Sequence, residues 1–434
     1  MPVVTVSEIT FAELSEGVGF HLEAPIENEI SELYALTFTG WVMGEQQPPV
    51  KLQLRGEGTD HRDIPLGIPR EDLAEIYPET PWAISNSGFN VSVSVLRWPE
   101  EFELEMYVVF SDESEVKLAT ITGRHDFPGT NASGLRPIMI TTLGRTGSTW
   151  MTQLLGGHPG IITYPPFHHE VRLASYWLEV FLSLTEPQSY LQGVQALVSE
   201  SDWWLGRART YDEETEDDDL LQHLGRHQVE ALSVFCKQRI DGFYKMLADR
   251  EGGDKDPVYF AEKALPQIGG QILALRGLYP GVREIVLVRD FRDMLSSIFA
   301  YNERRQFPFF NRHLAEDDLD YVRRFIGPDV MMLMDAFEQR KDSAHLVRYE
   351  DLITDPRATL ASMLAYLELD DSDESLDAMM GSNGRVLLNG QEEHRTAPSA
   401  EKSIGRWRSD LDRELVAECN AGFGSALERF GYDV

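Results

Sequence analysis

Residues 137–159 read PIMITT, LGRTGSTW, MTQLLGGHP: an apolar run, a glycine-bearing turn and a helical pattern in direct succession. This succession commits the chain to a strand–turn–helix unit. Such a turn aims backbone N–H groups and a helix N-terminus at one point, which makes an anion site. Phosphate is the guest that suits it.

Downstream, apolar runs at residues 138–142, 161–164, 258–261 and 284–288 alternate with long helical patterns, which predicts βα units around a mostly parallel sheet. Upstream the grain differs. ALTFTGWVMG, KLQLRG, FNVSVSVLRW, FELEMYVVF and VKLATITG carry β-branched or aromatic residues, often in period-two alternation, between Pro, Gly and charged turns. The expected organisation is an all-β sandwich domain over residues 1–130, accessory or acceptor-binding, and a turn-rich linker over 128–137. An α/β domain over 136–434 follows, with a mostly helical insertion at about 173–256. The acidic run YDEETEDDD, residues 211–219, reads as a solvated loop or helix start. Trp203, Trp204 and Tyr211 are expected to roof a pocket at the sheet edge, whereas Trp41 and Trp82 read equally as recognition aromatics or as core.

A formal net charge of −33 excludes a nucleic-acid-binding surface as the first expectation. An anionic ligand must therefore find a local positive pocket. Cys236 and Cys419 lack CxxC spacing and predict no disulfide framework. The first residues lack a basic and apolar leader pattern and no apolar run approaches a membrane span, so the expected location is cytoplasmic.

The magnesium-nucleotide loop of ATPases and GTPases needs G-x-x-x-x-G-K-[ST]. GRTGSTW has no Lys after its second glycine. Instead Arg145 sits inside the loop, Gly147 lets the backbone approach a phosphate, and Ser148 and Thr149 add hydroxyls. A second anion element is REIVLVRDFRDMLSSIF, where a strand ends at Arg289 and the next helix carries Ser297, so that one phosphate can be gripped from two sides. The alternative for Arg289 is a surface ion pair with Asp290 or Asp293.

Arg145-Thr146-Gly147-Ser148-Thr149 resembles the 5'-phosphosulfate loop of the sulfotransferases that use 3'-phosphoadenosine 5'-phosphosulfate (PAPS). Arg289 and Ser297, with seven residues between them, resemble that family's 3'-phosphate element. VYFAEKALPQIGG is similar to its central strand ending in a lysine, HLVRYEDL (with Tyr349 to Leu352) to the segment closing its sheet, and EKSIGRWRSDL to its cofactor-covering loop. These motifs stand in the family's order. The resemblance implies an α/β fold with a central parallel sheet of P-loop-like type and PAPS as co-substrate. It implies cofactor contacts at Arg145, Thr146, Gly147, Ser148, Thr149, Trp150, Arg289 and Ser297, and at Lys402, Ser403, Gly405 and Arg406, with Trp407 as packing. Lys263, with Arg145, is implied to stabilise charge on the departing oxygen.

Transfer to a hydroxyl also needs a base. GIITYP is followed by PFHHEVRLASYW, which puts His168, His169 and Glu170 at the edge where ligands bind in open α/β sheets. Cytosolic aryl and steroid enzymes carry a histidine shortly after the strand-borne lysine, and ALPQIGG after Lys263 has none. Glu170-Val171-Arg172 looks instead like the carbohydrate and tyrosylprotein type, which implies Glu170 as base and Arg172 orienting it or an anionic acceptor. His169 is the rival, as base or acceptor contact. No metal is expected: His168, His169 and Glu170 are adjacent and diverge, and His223 and His227 lack a third ligand. The expected partner is a carbohydrate, lipid or other small-molecule acceptor, without nucleic acid or a membrane span. A P-loop-type nucleotide kinase, or a glycan- or partner-binding protein with secondary catalysis, are the competing readings.

Overall fold

The computed structural model describes residues 3–56, 62–77, 80, 82, 87–128, 134–164, 172–186, 204–207, 222–251, 256–264, 269–381 and 396–434. The chain divides into two compact units. One comprises Met1–Ala132, Tyr176–Arg239 and Leu273–Pro280, the other Ser133–Ser175, Ile240–Ile272 and Gly281–Val434.

The first unit holds antiparallel strands β1 (Val4–Phe11), β2 (Val18–Ala24), β3 (Ile30–Ser31), β4 (Ala35–Gly44), β5 (Pro49–Arg55), β6 (Arg62–Pro65), β7 (Gly88–Ser94), β8 (Glu101–Phe110) and β9 (Glu115–His125). They form a six-stranded sheet, β3-β1-β9-β8-β5-β6, and a three-stranded sheet, β2-β4-β7. β8 shows the governing pattern: Phe102, Leu104, Met106 and Val108 are buried while the residues between them face outward, as a pleated strand with one wet face requires. Trp41 is half-buried against Tyr77 beside Met43 and Leu73, and the half-buried Trp82 donates to the Gly44 carbonyl at 2.8 Å, so both are partly packed.

The second unit is built on five parallel strands, β10 (Arg136–Thr141), β11 (Ile161–Thr163), β12 (Tyr259–Ala264), β13 (Arg283–Val288) and β14 (Ala344–Arg348), in the order β11-β12-β10-β13-β14. This is the expected fold class. Lys263 lies within β12 as its penultimate residue, and β10, not β12, is the central strand. Alternation along β13 sends Ile285 and Leu287 into one apolar cluster and Val286 and Val288 into another, so both faces of the sheet are covered. The first face packs helices α1 (Ser148–Gly157), α7 (Pro356–Leu367) and α8 (Asp373–Gly381), using Met151, Leu154, Leu360 and Met379. The second packs α5 (Phe291–Arg305), α6 (Gly327–Glu338) and α9 (Arg413–Arg429), using Leu295, Val330 and Leu427. Three further helices are α2 (Leu173–Thr185), α3 (Gln228–Glu251) and α4 (Gly269–Leu278).

Glu284 is a buried charge on β13, held by Arg340 in a two-pronged pair at 2.8 and 3.1 Å and by the Thr141 hydroxyl at 2.5 Å. It ties β10, β13 and the end of α6 together. Removing one partner of such a pair leaves an unmatched buried charge, so Arg340→Met is expected to lower stability by about 3–5 kcal/mol in denaturant unfolding. Adding Glu284→Gln should recover part of that loss. A double variant no more stable than Arg340→Met would show that the pair does not hold this corner.

Candidate active site

The turn after β10 is strained in the way an anion loop requires. Arg145 has φ 67° and Gly147 φ 96°, both in the left-handed region. Gly147 is the N-cap of α1, and a Cβ there would lie 2.5 Å from the Tyr349 ring, so the position excludes side chains on two counts. Thr142 and Thr146 fix the turn from inside: the Thr142 hydroxyl donates to the Leu287 carbonyl at 2.7 Å and the Thr146 hydroxyl to the Leu143 carbonyl at 2.9 Å. Thr146 therefore spends its side chain on loop geometry. Ser148 is buried and Thr149 half-buried on the first turn of α1, and Trp150 meets Tyr349 edge-on at 5.9 Å.

The segment after β13 converges on this loop. Arg289, just past β13, is 4% exposed. Its guanidinium donates to the carbonyls of Arg145 at 3.2 Å and Ser403 at 2.7 Å and lies 4.7 Å from the Tyr349 ring centre. Its Nε is buried without a protein partner among the described residues. The expected alternative, an ion pair with Asp290 or Asp293, is not what the described residues form. Asp290 pairs with Arg292 at 2.9 Å, and Asp293 accepts from the N–H groups of Gly405 at 2.6 Å and Trp407 at 2.9 Å. Burial pushes the Asp293 carboxyl up to about 6, against those two backbone donors.

Arg145 reaches across to this element. Its Nε donates to the Ser297 hydroxyl at 3.3 Å, and its guanidinium lies 4.8 Å from the Tyr301 ring centre. Burial lowers the Arg145 pKa to about 10, with repulsion from Arg289 and Arg406 adding to the effect. It stays a cation at neutral pH. Ser297 also shares a hydrogen bond with the Thr396 hydroxyl at 2.9 Å, and Arg406 donates to the Thr396 carbonyl at 2.8 Å. Ser403 is buried and contacts the Tyr349 hydroxyl at 3.2 Å, Gly405 has φ 70°, and Lys402 is exposed. Tyr301 and Thr396 join the site with no role expected from the sequence, while Asp293, expected as an ion-pair partner of Arg289, and Tyr349, expected in the sheet-closing segment, enter it as the acceptor of the Gly405 and Trp407 N–H groups and as the ring beside Arg289.

On the other flank Lys263 is half-buried and in register with Ile140, two residues before the loop begins. Arg172 is half-buried immediately before α2. Glu170, His168 and His169 lie outside the described residues, as do Trp203, Tyr211 and the acidic run. His223 and His227 are exposed, edge to face at 6.2 Å, and among the described residues no group of three or more His, Cys, Asp or Glu side chains could hold a metal. No described helix is long and apolar enough to cross a membrane, and Cys236 and Cys419 are free and buried.

The family model described as "Sulfotransferase family" matches residues 137–373, more than half of the chain. Among solved structures, the sulfotransferase domain of the Synechococcus olefin synthase is 19% identical with a TM-score of 0.37, covering 70% of this chain and 99% of that one. The sulfotransferase domain from the curacin biosynthetic pathway is 16% identical, TM-score 0.36, over 70% and 100%. A mouse sulfotransferase complexed with PAP is 12% identical, TM-score 0.36, over 69% and 86%. No curated protein matches the sequence.

Gly147→Ala should cost more than about 1 kcal/mol of stability, from the left-handed backbone and the Tyr349 ring together. Shrinking the ring in Gly147→Ala/Tyr349→Ala relieves only the steric part, so the two losses should be less than additive in thermal unfolding. Strict additivity would mean that the ring does not constrain the loop.

Proposed function

The chain belongs to the sulfotransferase family, and from that premise we propose that it moves the sulfuryl group of PAPS to an acceptor hydroxyl, releasing 3'-phosphoadenosine 5'-phosphate (PAP). The observation that carries the donor is Arg289: a buried guanidinium bonded to the Arg145 and Ser403 carbonyls, its Nε without a protein partner among the described residues, is a cation waiting for an anion. A nucleotide carrying phosphate at both its 3' and 5' positions suits two adjoining cationic elements better than one with a single phosphate chain.

In this reading the left-handed turn at Gly147, the start of α1, Ser148 and Thr149 hold the 5' side. Arg289 and Ser297 take the 3'-phosphate, with Thr146 and Trp150 shaping the loop and Lys402, Ser403, Gly405 and Arg406 covering the nucleotide. PAPS supplies an activated sulfuryl group. Arg145 and Lys263 stabilise the charge that builds on the departing phosphate oxygen, electrostatic work that needs no metal. Glu170 removes the acceptor's proton, Arg172 orients the base or an anionic acceptor, and His169 contacts the acceptor. The acceptor is a carbohydrate, lipid or other small-molecule alcohol. Residues 1–130 form the accessory or acceptor-binding domain, residues 136–434 the catalytic one with its insertion at about 173–256, and the setting is cytoplasmic.

Calorimetry with PAP tests the donor. Wild type should bind in the micromolar range, Arg289→Ala should bind about 10–100-fold more weakly through loss of charge-assisted bonds, and Mg-ATP should not compete. Tight Mg-ATP binding without preference for the 3'-phosphate would overturn the reading in favour of a kinase. Lys263→Ala is expected to keep PAP affinity and lose PAPS turnover.

A further inference from the structure

Glu262 has no part in the chemistry above, yet it is a buried carboxylate beside it, bonded from two other elements. It stands next to Lys263 on β12, and successive residues of a strand face opposite sides of the sheet. Tyr259 and Ala261, with the parity of Lys263, face the α1 side, while Phe260, with the parity of Glu262, stacks on Tyr244 of α3 at 3.7 Å. Glu262 is 3% exposed. Its oxygens accept from the N–H groups of Leu173 at 2.8 Å and Ala174 at 3.0 Å, the first two residues of α2, and from the Tyr244 hydroxyl.

Helix N-termini ordinarily find their acceptor in a Ser, Thr, Asp or Asn just ahead of the first turn. The residue ahead of Leu173 is Arg172, which cannot accept. The cap comes instead from a different element, 88 residues along the chain at Ala174, and from the residue adjoining Lys263. A capping serine would satisfy the same N–H groups without burying a charge. What the distant carboxylate adds is a fixed relation between two elements.

We propose that Glu262 is a positioning residue: its ionised carboxylate clamps the start of α2, and with it Arg172, to the strand that carries Lys263. The clamp registers the acceptor side of the site against the residue that meets the leaving group, and its catalytic meaning rests on the sulfotransferase reading. Among the described residues the titratable and charged groups facing it are Tyr244 from α3 and Arg172 ahead of α2. Burial raises the Glu262 carboxyl to about 7, so near neutrality the clamp is ionised in only part of the molecules. The folded chain then holds this proton more readily than the unfolded one, and the group's contribution to stability falls as pH rises from the ordinary 4.5 towards 7.

Amide hydrogen exchange on the full chain reads the clamp without acceptor or donor. At pH 8, Glu262→Gln should speed exchange at Leu173 and Ala174 by about tenfold, because a neutral acceptor replaces a charged one, and leave the amides of β10 and β13 unchanged. The opening that matters frees the two N–H groups while Glu262 stays buried on β12, and losing those bonds raises its carboxyl further, so in wild type the protection of those two amides, corrected for intrinsic exchange, should fall as pH drops through 7. In Glu262→Gln it should be flat, and Glu262→Asp, a charged but shorter side chain, should restore the slope. Unchanged exchange at the two amides, or an equal rise across the whole sheet, would overturn the clamp. PAP calorimetry on the same variants separates the two ideas: if wild type fails to bind PAP the donor reading falls, while the exchange result still stands or fails on its own.

Discussion

Keeping a guanidinium out of water with no carboxylate ion-paired to it among the described residues is costly, and the candidate site is organised around it. Arg289 is surrounded by carbonyl oxygens and an aromatic face. In a chain with a net charge of −33, acidic side chains are abundant, so a cation stays available only if nearby acids are engaged elsewhere. Asp290 is taken by Arg292, Asp293 by the N–H groups of Gly405 and Trp407, and Glu350 by the Asp290 N–H and the Tyr432 hydroxyl. Each bond also fixes a segment that borders the site.

Aromatic rings do the complementary work. Tyr301 lies by Arg145, Tyr349 by Arg289 and Trp407 by Arg292, each with the cationic carbon within 4.8 Å of the ring centre. A ring face attracts a cation but does not cancel its charge. It supports the arginine in place and leaves its field intact for an incoming anion. Tyr349 serves twice, since its ring also occupies the space that a side chain at position 147 would need.

Much of this was legible in the sequence because it is local. The strand–turn–helix at residues 137–159, the hydroxyls after Gly147, and the seven residues that separate Arg289 from Ser297 are all properties of short windows. The contact of Arg145 with Ser297, 152 residues apart, depends on β10 and β13 being neighbours, and strand order is not written in any window. For the same reason Lys263 reads as the end of a central strand, whereas β12 lies one place off centre. Glu262 carries no signal in the sequence, because a lone Glu on a strand resembles any solvated residue. Its meaning appears only once the start of α2 and Tyr244 close around it.

In the proposed function, two cationic elements following adjacent strands hold one nucleotide by its two ends. A crystal structure of the protein with PAP tests it most directly. The 5'-phosphate is expected within about 3 Å of N–H or hydroxyl donors in the turn at Gly147 to Thr149, and the 3'-phosphate at similar distance from Arg289 and Ser297. A nucleotide seated elsewhere, or one whose 3'-phosphate points into solvent away from Arg289, would contradict it.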